Sequence, residues 1–212
     1  MMMKITELAH LLVRSHLLAQ PQRCIAIDAT VGNGYDTVFL AECVGAEDMI
    51  YGFDIHDMSA AHTEAAGRGM TERITFIQAG HETMLAHLPP QVLGGVQAIM
   101  FNLGYLPRGD KHTTTTIATT IPALEQSLAL LADGGILTIA CYPGHPGGHE
   151  ETEAVFSFVN ALPTAQYRVL HSRYVNHQRA APPELITVYK LGNRSVRNGS
   201  KIRVHSSLGG RG

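Results

Sequence analysis

The chain has 212 residues, 45% hydrophobic and 16% charged, enough for one sizeable core and too few for two full domains. Its 21 glycines and 10 prolines follow no collagen period and no disorder-like bias, so fibrous, disordered and coiled-coil chains are excluded. The formal charge of −2 is unevenly spread: residues 1–189 hold all 18 acids and ten bases, while residues 190–212 hold six bases and no acid. A single domain over 1–190 followed by a basic, disordered tail over 191–212 is the expected organisation.

Residues 4–19 carry Ile5, Leu8, Leu11, Leu12 and Leu18 at helical spacing and are predicted to form an amphipathic helix ended by Pro21. Short apolar blocks follow at Cys24–Ala29, Met49–Asp54, Ile74–Gln78, Val96–Asn102 and Ile136–Tyr142, each the length of a buried strand. Between them the periodicity is helical near 35–44, 57–68, 80–88 and 114–132. A helix near 148–161 leads to two more strands, about 166–174 and 185–191. This alternation predicts an α/β fold, a seven-stranded, mostly parallel sheet with helices on both faces.

Cys24, Cys43 and Cys141 are an odd count without metal-ligand spacing, and the 12 histidines show none either, so no metal is expected. Buried reduced thiols suit a reducing compartment. The N-terminus lacks a small-residue cleavage site, and no apolar run approaches the roughly 18 residues of a membrane span. A cytoplasmic protein with no membrane association is expected.

Ligands of such sheets bind beyond the carboxyl ends of the strands, near the point where strand order reverses. Here the first strand ends in Asp28 and enters Gly32-Asn33-Gly34, the second ends in Asp54, the third in Gln78-Ala79-Gly80-His81, and the fourth in Asn102-Leu103-Gly104-Tyr105-Leu106-Pro107. The glycines allow a tight turn and close backbone approach, and Asp54 stands where a carboxylate can hold ribose hydroxyls. A dinucleotide enzyme would want a third glycine near position 37, which is Thr37, and Asp28 and Asp36 repel a pyrophosphate. The same acids suit a sulfonium and an α-amino group, so S-adenosylmethionine is the better ligand; the alternative for Asp28 is a helix N-cap or turn former, and its coincidence with Asp54 and the glycine turn favours the ligand role. At the fourth end, Asn102 and the Leu103 carbonyl can accept hydrogen bonds from an amine, with Tyr105 as a stacking platform, in the manner of the Asn-Pro-Pro-Tyr loops of amino-methylating nucleic-acid enzymes. An Asx-turn with a packed Tyr is the alternative.

Taken together, Ala29-Thr30-Val31-Gly32-Asn33-Gly34-Tyr35-Asp36-Thr37, Phe53-Asp54-Ile55, Asn102 to Pro107 with Gly109-Asp110-Lys111, Tyr142 to Glu151, and Asn176-His177-Gln178 through Pro183 resemble the MnmM/YtqB-like methyltransferases, formerly labelled rRNA methylases. The likeness runs over residues 5–190. It implies a class I Rossmann-like fold, S-adenosylmethionine as cofactor, and methylation of 5-aminomethyl-2-thiouridine at the tRNA wobble position to the 5-methylaminomethyl product.

Carried onto this chain, the resemblance implies that Asp28, Gly32, Asn33, Gly34, Asp36, Thr37, Asp54, His56, Ala79 and His81 surround the cofactor. Asn102, Leu103 and Gly104 would lie where the methyl passes. It has Tyr142, His145 and His149 face the substrate; Asn102 and Tyr105 are the catalytic expectations at the fourth strand end, and Asp110, His145 and His149 are base candidates by residue type and position, with loop or helix N-cap chemistry as the alternative. Substrate contacts fall to Tyr105, Arg108, Lys111, Tyr142, Asn176 and His177. His56 departs from the usual Gln and Arg108 from the usual Gly. The partner would be a tRNA anticodon stem-loop, bound by a local patch such as Arg108, Lys111, Arg173 and Arg179, because the acidic body opposes broad RNA affinity. A homodimer is left open. The competing readings are a methyltransferase of another RNA or small-molecule amine, a non-catalytic RNA-binding relative and, less favoured by the loop chemistry, a nicotinamide enzyme.

Overall fold

In the computed structural model, which describes residues 3–19, 23–104, 114–177 and 181–192, alternate residues of the central strands face opposite helix layers. Ala26, Ala98 and Ile136 pack with α1 (Ile5–Leu18), α2 (Tyr35–Cys43) and α3 (Ser59–Gly67). Their neighbours Ile27, Ile99 and Leu137 pack on the other face with α4 (Met84–His87), α5 (Ile117–Leu130) and α6 (Gly148–Asn160). Strands buried on both faces read as continuous apolar runs, which is how they announce themselves in the sequence.

The strands are β1 (Ile25–Asp28), β2 (Met49–Asp54), β3 (Ile74–Gln78), β4 (Val96–Asn102), β5 (Leu131–Cys141), β6 (Tyr167–Ser172) and β7 (Glu184–Lys190). They form one seven-stranded sheet in the order β3-β2-β1-β4-β5-β7-β6. β1 to β5 pair in parallel, and β7 runs antiparallel between β5 and β6. The order reverses between β1 and β4, which sets the ends of β1 and β4 side by side. Among the described residues no helix is long and apolar enough to cross a membrane.

Three predicted elements differ in detail. The buried stripe of α1 is Ile5, Ala9, Val13 and Leu17, whereas Leu11 and Leu18, counted in the predicted face, are exposed. A strict four-residue step selected the stripe, and residue size did not. The helix expected over 80–88 is a 3-10 turn at His81–Thr83 followed by one turn of α-helix, and Pro89 stops it. β5 begins at Leu131, five residues before the predicted start, because Leu131 pairs with Val96 before a register shift around the left-handed Gly134.

Ile99 is wholly buried at the middle of β4. Ile99→Ala is expected to lower the unfolding free energy by about 2–5 kcal/mol in urea titrations followed by circular dichroism. Leu18→Ala, on the exposed side of α1, is expected to stay within about 0.5 kcal/mol.

Candidate active site

The ends of β1 and β4 adjoin at the reversal point, with the end of β2 beside β1. Asp28 ends β1 opposite Gly52 and Met100, Asp54 ends β2 opposite Gln78, and Asn102 ends β4 opposite Ala140. The loop after β1 is shaped by two glycines in the left-handed region, Gly32 at φ 51° and Gly34 at φ 85°. Gly34 caps α2, and a Cβ there would stand 2.7 Å from the Cβ of Ala61, so α3 can close on the turn only over glycine.

Acidic side chains hold this loop. Asp28 exposes no surface; its oxygens accept from the Thr30 amide at 3.1 Å and the Thr37 hydroxyl at 2.5 Å. Burial, then the neighbouring Asp36, pushes its pKa up to about 7, against the two hydrogen bonds that favour the charged form. Asp54 accepts from the Gly32 amide at 2.7 Å through one oxygen, and from the amide and Nδ1 of His56 at 2.9 and 2.8 Å through the other. Asp36, at the start of α2, is bonded at 2.6 Å to His10, whose ring lies flat on Phe39 at 3.7 Å.

Asp28 and Thr37 expose no surface and are bonded to each other at the back of the loop, which they brace. A carboxylate offers about four acceptor positions, and three on Asp54 are used within the chain, which leaves about one. Gly32, Asn33 and Gly34 are on the loop as expected, and His56 folds back over Asp54.

The β4 end is tied to the same loop, because the Asn102 amide donates to the Thr30 hydroxyl at 2.8 Å. Leu103 is buried, with its amide on the Ala140 carbonyl at 2.9 Å. The Gly104 amide donates to Thr115 Oγ1 at 2.8 Å, Thr115 donates to Glu151 at 3.0 Å, and Thr120 donates to the other Glu151 oxygen at 2.6 Å. His145 stands beside Gly104: a Cβ on that glycine would lie 3.4 Å from Nε2. Its Nδ1 lies 3.0 Å from the Pro146 carbonyl, which can only accept, so Nδ1 is the donor of that bond.

His81 lies between the two halves. It is buried, with Nδ1 3.2 Å from the Ala29 carbonyl, and Nε2 has no hydrogen-bond partner among the described residues. Burial lowers its pKa, so the ring is neutral near pH 7. Ala79, two residues earlier, is half-buried at the end of β3.

His149, Asn176 and His177 do not join this group, whereas Tyr142 lies within electrostatic reach of Asp36. His149 and His177 line a separate cavity of about 540 Å³ with Phe156, Arg173 and Tyr174, flanked by α6 and the β6–β7 connection. Asn176 is exposed nearby, and Tyr142 packs with the α1-side core, where burial pushes its phenol up to about 12. Tyr105, Arg108, Asp110, Lys111 and Arg179 lie outside the described residues, as does the tail from residue 193. The residues missed in the sequence are His10, Thr30, Thr115, Thr120 and Glu151. Only Glu151 left a signal, an acid on the buried stripe of α6 with Gly148, Thr152, Val155 and Val159.

The model of the family described as "Putative rRNA methylase" matches residues 50–188. The Arabidopsis thaliana protein named tRNA (mnm(5)s(2)U34)-methyltransferase, chloroplastic, is 32% identical over 200 residues, 90% of this chain and 70% of that protein. A Clostridium thermocellum crystal structure described as a "putative rRNA-methylase" is 32% identical with a TM-score of 0.82, over 90% of this chain and 100% of the other. A Streptococcus mutans "putative methyltransferase", solved in complex with SAH, is 31% identical with a TM-score of 0.76 over the same shares.

The Asp28 carboxyl gives a pH signature. Its folded pKa of about 7 lies above the ordinary 3.8, so the native state binds the proton more tightly. Its contribution to stability is complete below about pH 4 and is lost as pH rises towards 7. Asp28→Asn removes this dependence, so the unfolding free energy of the variant minus that of the wild type is expected to rise across pH 4.5–7.5. A difference that stays flat in urea titrations would contradict the assignment.

Proposed function

Since the chain belongs to the rRNA methylase family matched above, we propose that it is an S-adenosylmethionine-dependent methyltransferase that converts 5-aminomethyl-2-thiouridine at the tRNA wobble position to 5-methylaminomethyl-2-thiouridine. The observation that carries this reading is the 32% identity to the Arabidopsis tRNA methyltransferase over 90% of the chain. We take residues 1–190 as the catalytic domain, because the family match and every element of the sheet fall within it.

The site suits the cofactor. Asp36 and Asp54 both act on the buried Asp28 carboxyl at the glycine loop, an acidic environment that favours a sulfonium and an ammonium and disfavours phosphate. Buried nitrogens of His56 and His81 without partners among the described residues offer acceptors to a polar ligand. The residues that would hold it are Gly32, Asn33 and Gly34 by backbone approach, Asp54 through its one remaining acceptor position, and His56, Ala79 and His81 at the neighbouring strand ends. When bound, S-adenosylmethionine supplies the methyl group.

The remaining work falls to the chain's own residues. An alkyl ammonium with a pKa near 10.4 must be neutral to act as a nucleophile, a cost at pH 7 of up to about 4–5 kcal/mol. The Asn102 side-chain oxygen and the Leu103 carbonyl orient the amine by accepting its hydrogens, leaving its lone pair directed at the methyl. His145 is the base favoured by position, with Nε2 beside Gly104 and Nδ1 held by Pro146. His149, in the outer cavity with Arg173 and His177, fits contact with the RNA around the target base. Displacement from a sulfonium releases a neutral thioether, so positioning and exclusion of water carry most of the rate.

The test is incubation with S-adenosylmethionine and tRNA from a strain lacking this modification, then mass spectrometry of the wobble nucleoside. The aminomethyl nucleoside is expected to disappear in favour of the methylaminomethyl one. Asn102→Ala is expected to lower kcat by about 100- to 1,000-fold while leaving cofactor affinity by calorimetry unchanged. Cofactor binding without conversion would point to another amine or RNA as acceptor.

A further inference from the structure

Glu151 is a carboxylate with 3% exposure in the first turns of α6, and neither an exposed ion pair nor helix capping accounts for it. Its two oxygens accept from two threonine hydroxyls, Thr120 at 2.6 Å and Thr115 at 3.0 Å. A hydroxyl has one proton and two lone pairs. With the Thr115 proton committed to Glu151, the Thr115 oxygen can only accept on its other side, and there it takes the Gly104 amide at 2.8 Å. The Thr115 amide returns a bond to the Gly104 carbonyl at 3.1 Å, so Gly104 is held by both its backbone groups.

The consequence lies one atom group away. The Leu103–Gly104 peptide is planar and trans, so its carbonyl points opposite to its amide. Anchoring the Gly104 amide on Thr115, with the Leu103 amide on Ala140, therefore fixes the direction of the Leu103 carbonyl. We propose that Glu151 is a positioning residue for methyl transfer: through the Thr115 hydroxyl it orients the Leu103–Gly104 peptide so that the Leu103 carbonyl accepts from the substrate amine. This rests on the amine-acceptor reading of the β4 end.

The chemistry separates orientation from charge. A glutamine at 151 can turn its oxygen to Thr115 and its NH₂ to Thr120, whose hydroxyl can accept, so the orienting bond survives without a carboxylate. A leucine offers no acceptor, and the Thr115 hydroxyl is no longer held with its lone pair towards Gly104. Thr115→Val removes the hydroxyl altogether, and Thr115→Ser restores it.

The experiment measures steady-state methyl transfer to tRNA carrying the aminomethyl nucleoside, cofactor affinity by calorimetry, and exchange of the Gly104 amide hydrogen by NMR. Thr115→Val and Glu151→Leu are expected to lower kcat by about 100-fold, with KM for tRNA and cofactor affinity little changed. Glu151→Gln and Thr115→Ser are expected to stay within about tenfold of wild type. Protection of the Gly104 amide should fall in the first pair and persist in the second. Thr115→Val with wild-type kcat, or Glu151→Gln as impaired as Glu151→Leu, would overturn the proposal. If Glu151→Leu does not fold, the Thr115→Val and Thr115→Ser pair decides alone. Wild-type protein inactive on this tRNA would instead overturn the acceptor reading.

Discussion

A carboxyl group shut away from water at the end of β1 organises everything around it. Asp28 has no exposed surface, and its two oxygens reach forward to the Thr30 amide and the Thr37 hydroxyl, so the glycine turn between them closes over a fixed anchor. Thr30, placed by that anchor, presents its own hydroxyl to the Asn102 amide. The loop after β1 and the end of β4 are thus parts of one hydrogen-bonded unit, although 72 residues separate Thr30 from Asn102. A buried polar group that is satisfied on both oxygens specifies geometry more sharply than apolar packing does, because any shift leaves an unpaired group in a medium where that is costly.

Around this unit the acids divide their work. Asp54 draws the loop towards β2 through Gly32 and gathers His56 onto itself, while Asp36 is held from outside by His10 on α1. Glu151 does for the β4 loop what Asp28 does for the β1 loop, from the opposite helix layer and through threonine hydroxyls. Both anchors are buried beneath the loops they hold. A cationic cofactor and an amine substrate gain from carboxylates near enough to favour positive charge and restrained enough not to bind it as a salt.

The sheet was readable because its strands are buried on both faces. Met49–Asp54, Ile74–Gln78 and Val96–Asn102 match the predicted spans, and the polar residues at their ends mark one edge of the sheet. The places of the glycine turn, Asp54 and Asn102 were readable for the same reason, since each directly follows or ends an apolar run and so marks a strand end. By contrast His10, Thr115 and Thr120 sit in amphipathic or polar stretches where their types are ordinary, and nothing local distinguishes them. The stripe of α1 was misjudged because leucines on either side of Ala9 and Val13 draw the eye from the residues that meet the core.

What the sequence determined by itself was the alternation of strands and helices, the acidic character of the β1 turn and the chemical class of the β4 end, all set by neighbours within a few residues. Tertiary structure decided which polar groups are buried as anchors and which polar groups they hold. Asp28 was joined to Thr37 and Thr30, His145 came to Gly104 while His149 turned to an outer cavity, and Glu151 was joined to Thr115. Each of these outcomes depends on strand order, which brings β1, β4 and β5 together from distant parts of the chain. A hydrogen bond is decided by direction over about 3 Å, and spacing along the sequence carries no information at that scale.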